Sequence, residues 1–111
     1  MHHTADIIEQ EGDRVVVRLA EREVNTDDLR EVILGLKTRL DDGARTFIFC
    51  FGKVEFLPSA CLALLLMFYQ DAKKHEARIV LLNCQENVSF LMKLARLDTL
   101  FDLAHGEPAE A

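Results

Sequence analysis

Apolar side chains recur along the chain with two different periods, and each change of period marks a change of element. Arg14 to Leu19 alternates, with Val15, Val17 and Leu19 on one face and Val16 on the other, as a half-buried strand requires. Ala5 to Gln10 predicts a short strand before it, with a hairpin turn at Glu11-Gly12-Asp13. The period then lengthens. Leu29, Val32, Ile33, Leu36 and Leu40 share one side of a helix, and Gly43 ends it. Asn25 or Thr26 can cap that helix, because their side-chain oxygens accept free first-turn amides. Asp27 and Asp28 suit the positive end of its dipole.

The second half repeats the strand-helix rhythm. Thr46 to Phe51 is continuously apolar, as in a central strand, and Gly52-Lys53 breaks it. Val54-Glu55-Phe56-Leu57 then leads to Pro58, which disfavours helical geometry at Leu57, and to Ser59, which suits a cap. Ala60 to Lys74 follows as a helix with an unusually apolar first half. Arg78 to Leu82 predicts another buried strand, and the next helix runs from about Gln85 to Arg96 with Val88, Leu91, Met92 and Ala95 inward. Leu97, Leu100, Phe101 and Leu103 are expected to close the domain as a short helix. This order predicts an α/β fold: a four- to five-stranded mixed sheet with helices packed mainly on one face. The domain is expected over residues 5–105, with Met1 to Thr4 frayed and residues 106–111 a flexible C-terminal tail.

Composition narrows the function. At 111 residues, 50% hydrophobic and 29% charged, the chain builds one packed domain and has no room for a second. Its 13 basic and 19 acidic residues give a formal charge of -6, which argues against nucleic acid and anionic lipid as partners. The longest apolar run, Ala60 to Tyr69, is half the ~20 residues of a membrane span, so no direct membrane insertion is expected. No charged-then-apolar leader opens the sequence. Cys50, Cys61 and Cys84 lie far apart in apolar company and read as reduced thiols, which predicts a cytoplasmic protein.

The search for chemistry returns little. No glycine-rich phosphate loop and no metal-binding histidine-glutamate pattern occurs, so neither a cofactor nor a metal is expected. His2 and His3 fall in the frayed start, while His75 and His105 follow a helix and precede the tail, as solvated residues do. Met67-Phe68-Tyr69 reads as core or partner contact. Cys61, placed in the first turn of a helix, lies where a dipole can lower a thiol pKa, but a nucleophile needs a base and no histidine is near in sequence. Ser59, one of only two serines, stands at a strand-to-helix junction, where two roles are open: an ordinary helix cap, or a phosphoacceptor.

Val54-Glu55-Phe56-Leu57-Pro58-Ser59-Ala60-Cys61-Leu62-Ala63-Leu64-Leu65-Leu66 resembles the signature of STAS domains, the bacterial anti-sigma factor antagonist family. In that signature an apolar strand end runs into Asp-Ser-Ser-Gly-Leu-Gly and then an apolar helix. Val88, Leu91, Leu94, Leu97 and Leu100 follow the family's later apolar pattern, and the similarity spans Asp13 to Leu103. Pro58 stands in place of the Asp, Ala60 of the second Ser and Cys61 of the Gly, whereas Ser59 matches the phosphoacceptor position.

The resemblance implies a STAS-type domain without catalysis of its own. Its partner would be a serine kinase that doubles as an anti-sigma factor, in a partner switch that phosphorylation of Ser59 breaks. The docking surface it implies is Glu55, Leu57, Pro58, Ser59 and Ala60, all expected at or near solvent, with Leu62, Leu65 and Leu66 buried beneath. A different role is also implied: Ala60 to Lys74 is similar to the soluble STAS subunit of bacterial lipid-transporting ABC systems, which binds the transporter's ATPase subunit.

Overall fold

Strands β1 (Ala5–Glu11), β2 (Arg14–Leu19), β3 (Thr46–Cys50), β4 (Arg78–Leu82) and β5 (Asp102–Ala104) form one sheet in the order β1-β2-β3-β4-β5. The computed structural model describes residues 5–110; the predicted fray at Met1 to Thr4, with His2 and His3, lies outside the described residues. β1 and β2 are an antiparallel hairpin, and every other neighbouring pair is parallel. Its turn is Gly12-Asp13, and Gly12 has φ 62°, a left-handed conformation that glycine adopts without strain. Helices α1 (Thr26–Asp41), α2 (Ser59–Lys74) and α3 (Glu86–Leu94) make the parallel crossovers. Because the strand order advances in one direction and such crossovers are right-handed, all three helices fall on the same side of the sheet.

The strand pleat splits the core in two. Val15, Val17, Leu19, Phe47, Phe49, Ile79 and Leu81 point to the helices and meet Leu29, Ile33, Leu36 and Leu40 of α1, Cys61, Leu65, Phe68 and Ala72 of α2, and Val88 and Met92 of α3. Phe68 is the hub, its ring 5.0 Å from that of Phe47 and 6.5 Å from that of Phe49, both edge-on. The opposite face carries a smaller strip in which Ile48, Val80 and Leu82 are buried among Val16, Cys50 and Ala104. Among the described residues, no α-helix lies there. The segment after β5 turns back over this strip instead. Asn83 bonds Gly106 twice, side-chain amide to carbonyl and backbone amide to side-chain oxygen, both at 2.9 Å. Arg14 then donates to the carbonyl of Pro108, where a 3-10 turn (Pro108–Glu110) begins.

Ala95, expected inward on α3, is exposed at the cap just past the helix's end. Two larger expectations also need correction. Leu97 to Leu103 does not form a closing helix. Arg96 takes a left-handed conformation (φ 60°), a single 3-10 turn covers Leu97–Thr99, and Asp102–Ala104 becomes the fifth strand, in register with Val80 to Leu82. An open parallel edge on β4 outcompetes the weak helical pattern. Ser59 does not cap α2 either. Pro58 is the cap residue, its carbonyl accepting from the amides of Cys61 (2.9 Å) and Leu62 (3.2 Å), and no side chain caps the helix. Proline's fixed φ holds the extended geometry that the cap position needs and moves Ser59 into the first helical position. Asn25, by contrast, caps α1 as expected, its side chain accepting from the Asp28 amide at 3.0 Å.

Candidate functional site

Three connections converge beyond the C-terminal ends of the parallel strands, where open α/β sheets place their binding sites. The loop after β3 is held from both sides. The amides of Glu55 and Phe56 donate to the Arg22 carbonyl at 2.7 and 2.9 Å, and the Val24 amide donates back to the Phe56 carbonyl at 3.3 Å. From the other side, Gln85 donates to the Gly52 carbonyl at 2.8 Å, and the Asn87 side chain donates to that of Glu55. Arg22 Nη2 lies 2.7 Å from Glu55 Oε1, and this guanidinium holds the Glu55 carboxyl below the usual carboxylate range.

This anchoring sorts the expected docking residues. Ser59 and Ala60 are exposed, and Glu55 and Pro58 are half-buried. Leu57 departs from expectation: it is buried, because it turns inward with Val54 to join the helix-side core. Beneath the helix start, Leu65 is buried as expected, while Leu62 and Leu66 are only half-buried. The Ser59 hydroxyl makes no cap bond, and the first turn of α2 holds no acidic residue.

Cys61 sits directly under the exposed turn and is fully buried. Its Sγ lies 3.5 Å from Thr26 Oγ1 and 3.8 Å from the Val24 carbonyl oxygen. Burial pushes the thiol pKa up, and the opposing pull of the Thr26 hydroxyl and of Arg30 does not reverse it. With a protonated sulfur bonded to a hydroxyl and a carbonyl, the site has the chemistry of a core contact, not of a nucleophile. His75 stands at the far end of α2, about 21 Å from Cys61 along the helix. There its Nδ1 is 3.1 Å from the Asp71 carbonyl and its Nε2 3.5 Å from Asp41. His105 is exposed after β5. Among the described residues, no three His, Cys, Asp or Glu side chains come together as a metal site.

The structure adds residues that the sequence reading missed. Phe56, Phe90 and Leu94 are exposed by 56%, 61% and 66%. They border a groove of about 520 Å³ between the loop and α3, whose walls include Glu55, Leu57, Pro58 and Leu91. The available signal was in α3: Phe90 and Leu94 are an i, i+4 apolar pair lying off the inward stripe of Val88 and Met92. Among the described residues, no helix is long and apolar enough to cross a membrane.

The fold has solved relatives. The anti-sigma factor antagonist SpoIIAA in its unphosphorylated form superposes with a TM-score of 0.81 at 22% identity, covering 94% of this chain and 90% of that one. The Bacillus cell fate determinant SpoIIAA in its phosphorylated form gives 0.76 at 20% identity, covering 94% and 93%. An anti-sigma-factor antagonist (STAS) domain protein from Planctomyces limnophilus gives 0.76 at 14% identity, covering 94% and 92%. No curated protein matches the sequence. The family model for the STAS domain matches residues 2–109, nearly the whole chain. With its sheet order, its single helical layer and this match, the chain belongs to the STAS domain family.

Proposed function

We propose that this STAS domain is a protein-protein binding module of the anti-sigma factor antagonist kind, acting in a phosphorylation-dependent partner switch that regulates transcription. On this reading its partner is a serine kinase that doubles as an anti-sigma factor, and the domain performs no catalysis itself. It docks through Glu55, Leu57, Pro58, Ser59 and Ala60, with Leu57 contributing as part of the groove wall.

The observation that carries the reading is the state of Ser59. Its side chain is exposed at the first position of a 16-residue helix and makes no cap bond. A phosphate on that hydroxyl gains from the free amides and the positive end of the helix dipole. It also adds up to two negative charges to a helix start that holds no acid, enough to repel a partner docked there without unfolding the domain. The likeness to SpoIIAA, solved in both phosphorylated and unphosphorylated forms, supports the same assignment.

The test is capture of partners from extract of the native cell, followed by incubation of the domain with the captured material and ATP. A kinase recovered together with a sigma factor, and phosphate on Ser59 by mass spectrometry, are the expected results. Recovery of permease and ATPase subunits of a transporter would replace this reading with the ABC-system one.

A further inference from the structure

Helix α3 presents the two most exposed large apolar side chains of the described residues, Phe90 and Leu94, one turn apart and pointing away from the core. Phe56 faces them across the groove, so the apolar surface is continuous from the loop to the helix. Beside this strip, on the flank of α3 away from the groove, lie Glu86 and Lys93, both exposed. They are seven residues apart, about 10.5 Å along the helix axis, too far to pair with each other. Among the described residues neither takes part in an ion pair.

One acid and one base on the same flank, at either end of an apolar strip, form a self-complementary pattern. A partner of a single charge sign would leave one of the two mismatched. When two identical helices pack antiparallel about a two-fold axis, like flanks meet, and residues equidistant from the axis face each other. With the axis beside Phe90, Glu86 of one copy meets Lys93 of the other, and the reverse pair forms at the same time. The two Phe90 rings lie against the axis, and Leu94 extends the apolar seam. The geometry points to a second copy of this chain as the occupant of the α3 face, in an antiparallel α3-to-α3 dimer. Three large apolar side chains per copy bury less than the roughly 800 Å² per partner of a stable interface, so the dimer is weak and forms with rising concentration. On the docking reading above, it also hides the groove that holds Glu55, Leu57 and Pro58, but the dimer itself does not depend on that reading.

Sedimentation of the full chain over a wide concentration range tests this. The expected result is a mass that rises from monomer to dimer. Phe90→Asp should remain monomeric at every concentration while keeping the wild-type circular dichroism spectrum. Glu86→Lys and Lys93→Glu, both surface changes, should each raise the dissociation constant several-fold, to about tenfold, by setting like charges opposite each other. The double variant Glu86→Lys/Lys93→Glu should restore the wild-type value. A wild-type protein that stays monomeric throughout overturns the proposal and leaves the groove to a different protein. So does a dimer that is indifferent to the charge reversals, or one that the double variant fails to restore.

Discussion

Arg22 and Glu55 stand 33 residues apart in the sequence and 2.7 Å apart in space, joining the loop before α1 to the loop before α2. Both side chains are exposed enough that solvent screens the pair, while the backbone bonds from Glu55 and Phe56 to the Arg22 carbonyl hold the loops independently. Glu55→Lys is therefore expected to leave the melting temperature nearly unchanged and to weaken capture of the partner. An equal loss of folding and binding would make the loop a structural element.

The same pair sets a pH dependence. Glu55 has its pKa lowered in the folded state by the Arg22 hydrogen bond, so its contribution is present above the ordinary glutamate range, near about pH 4.3. It is lost as pH falls through the lower folded value. Urea unfolding of wild type and Glu55→Gln should give a small constant difference at neutral pH that vanishes in acid.

At Ser59, the missing cap bond changes the usual cost of removing a helix-terminal serine. Ser59→Ala should shift stability by less than about 0.5 kcal/mol, as surface changes do. Ser59→Asp places a charge at a helix start and should hold or slightly raise stability. If phosphorylation is the switch, the Asp variant binds the captured partner more weakly than the Ala variant. Equal binding by both, with no phosphate on protein taken from cells, would end the switch reading.

Phe68 offers the contrasting case. Fully buried and edge-on to both Phe47 and Phe49, it has no solvent into which a cavity can relax. Phe68→Ala should cost about 3–5 kcal/mol. That is a large share of the ~5–15 kcal/mol typical of a domain, so denaturant midpoint and binding should fall together.

Thiol chemistry distinguishes core cysteines from a reactive one. Burial raises the pKa of Cys50 and Cys61, and pushes that of Cys84 to about 11. At pH 8 about one Cys84 thiol in a thousand is ionised, so a thiol reagent should label the native protein slowly and the unfolded protein fast. Rapid native labelling of Cys61 would contradict its placement under the helix.

Strands β2 and β4 were legible to the residue, since Arg14–Leu19 alternates cleanly and Arg78–Leu82 is a short apolar run between charged and polar stops. The end of the chain was not. Asp102–Ala104 is a strand only because β4 offers it an edge, and three residues carry no period of their own. At the site, residue type located Ser59, but the cap assignment followed serine's general preference and missed that Pro58 fills that position. Leu57 was expected at or near solvent, and Phe56 was given no place on the docking surface; the structure buries the first and exposes the second. Their opposite fates, one inward and one outward, follow from the Arg22 carbonyl gripping two successive amides, a bond no local pattern encodes.

The bond from Arg14 to the Pro108 carbonyl spans 94 residues, almost the full chain. On a ribosome, where the amino end emerges first, that closure must wait until Pro108 has been made. The helical layer can assemble around Phe47, Phe49 and Phe68 while Ile48, Val80 and Leu82 remain wet on the other side. A nascent chain stalled or cleaved before Gly106 thus carries a bare apolar strip together with a complete loop before α2. Such fragments should precipitate during synthesis, and chaperone demand should ease once Gly106 to Pro108 are translated.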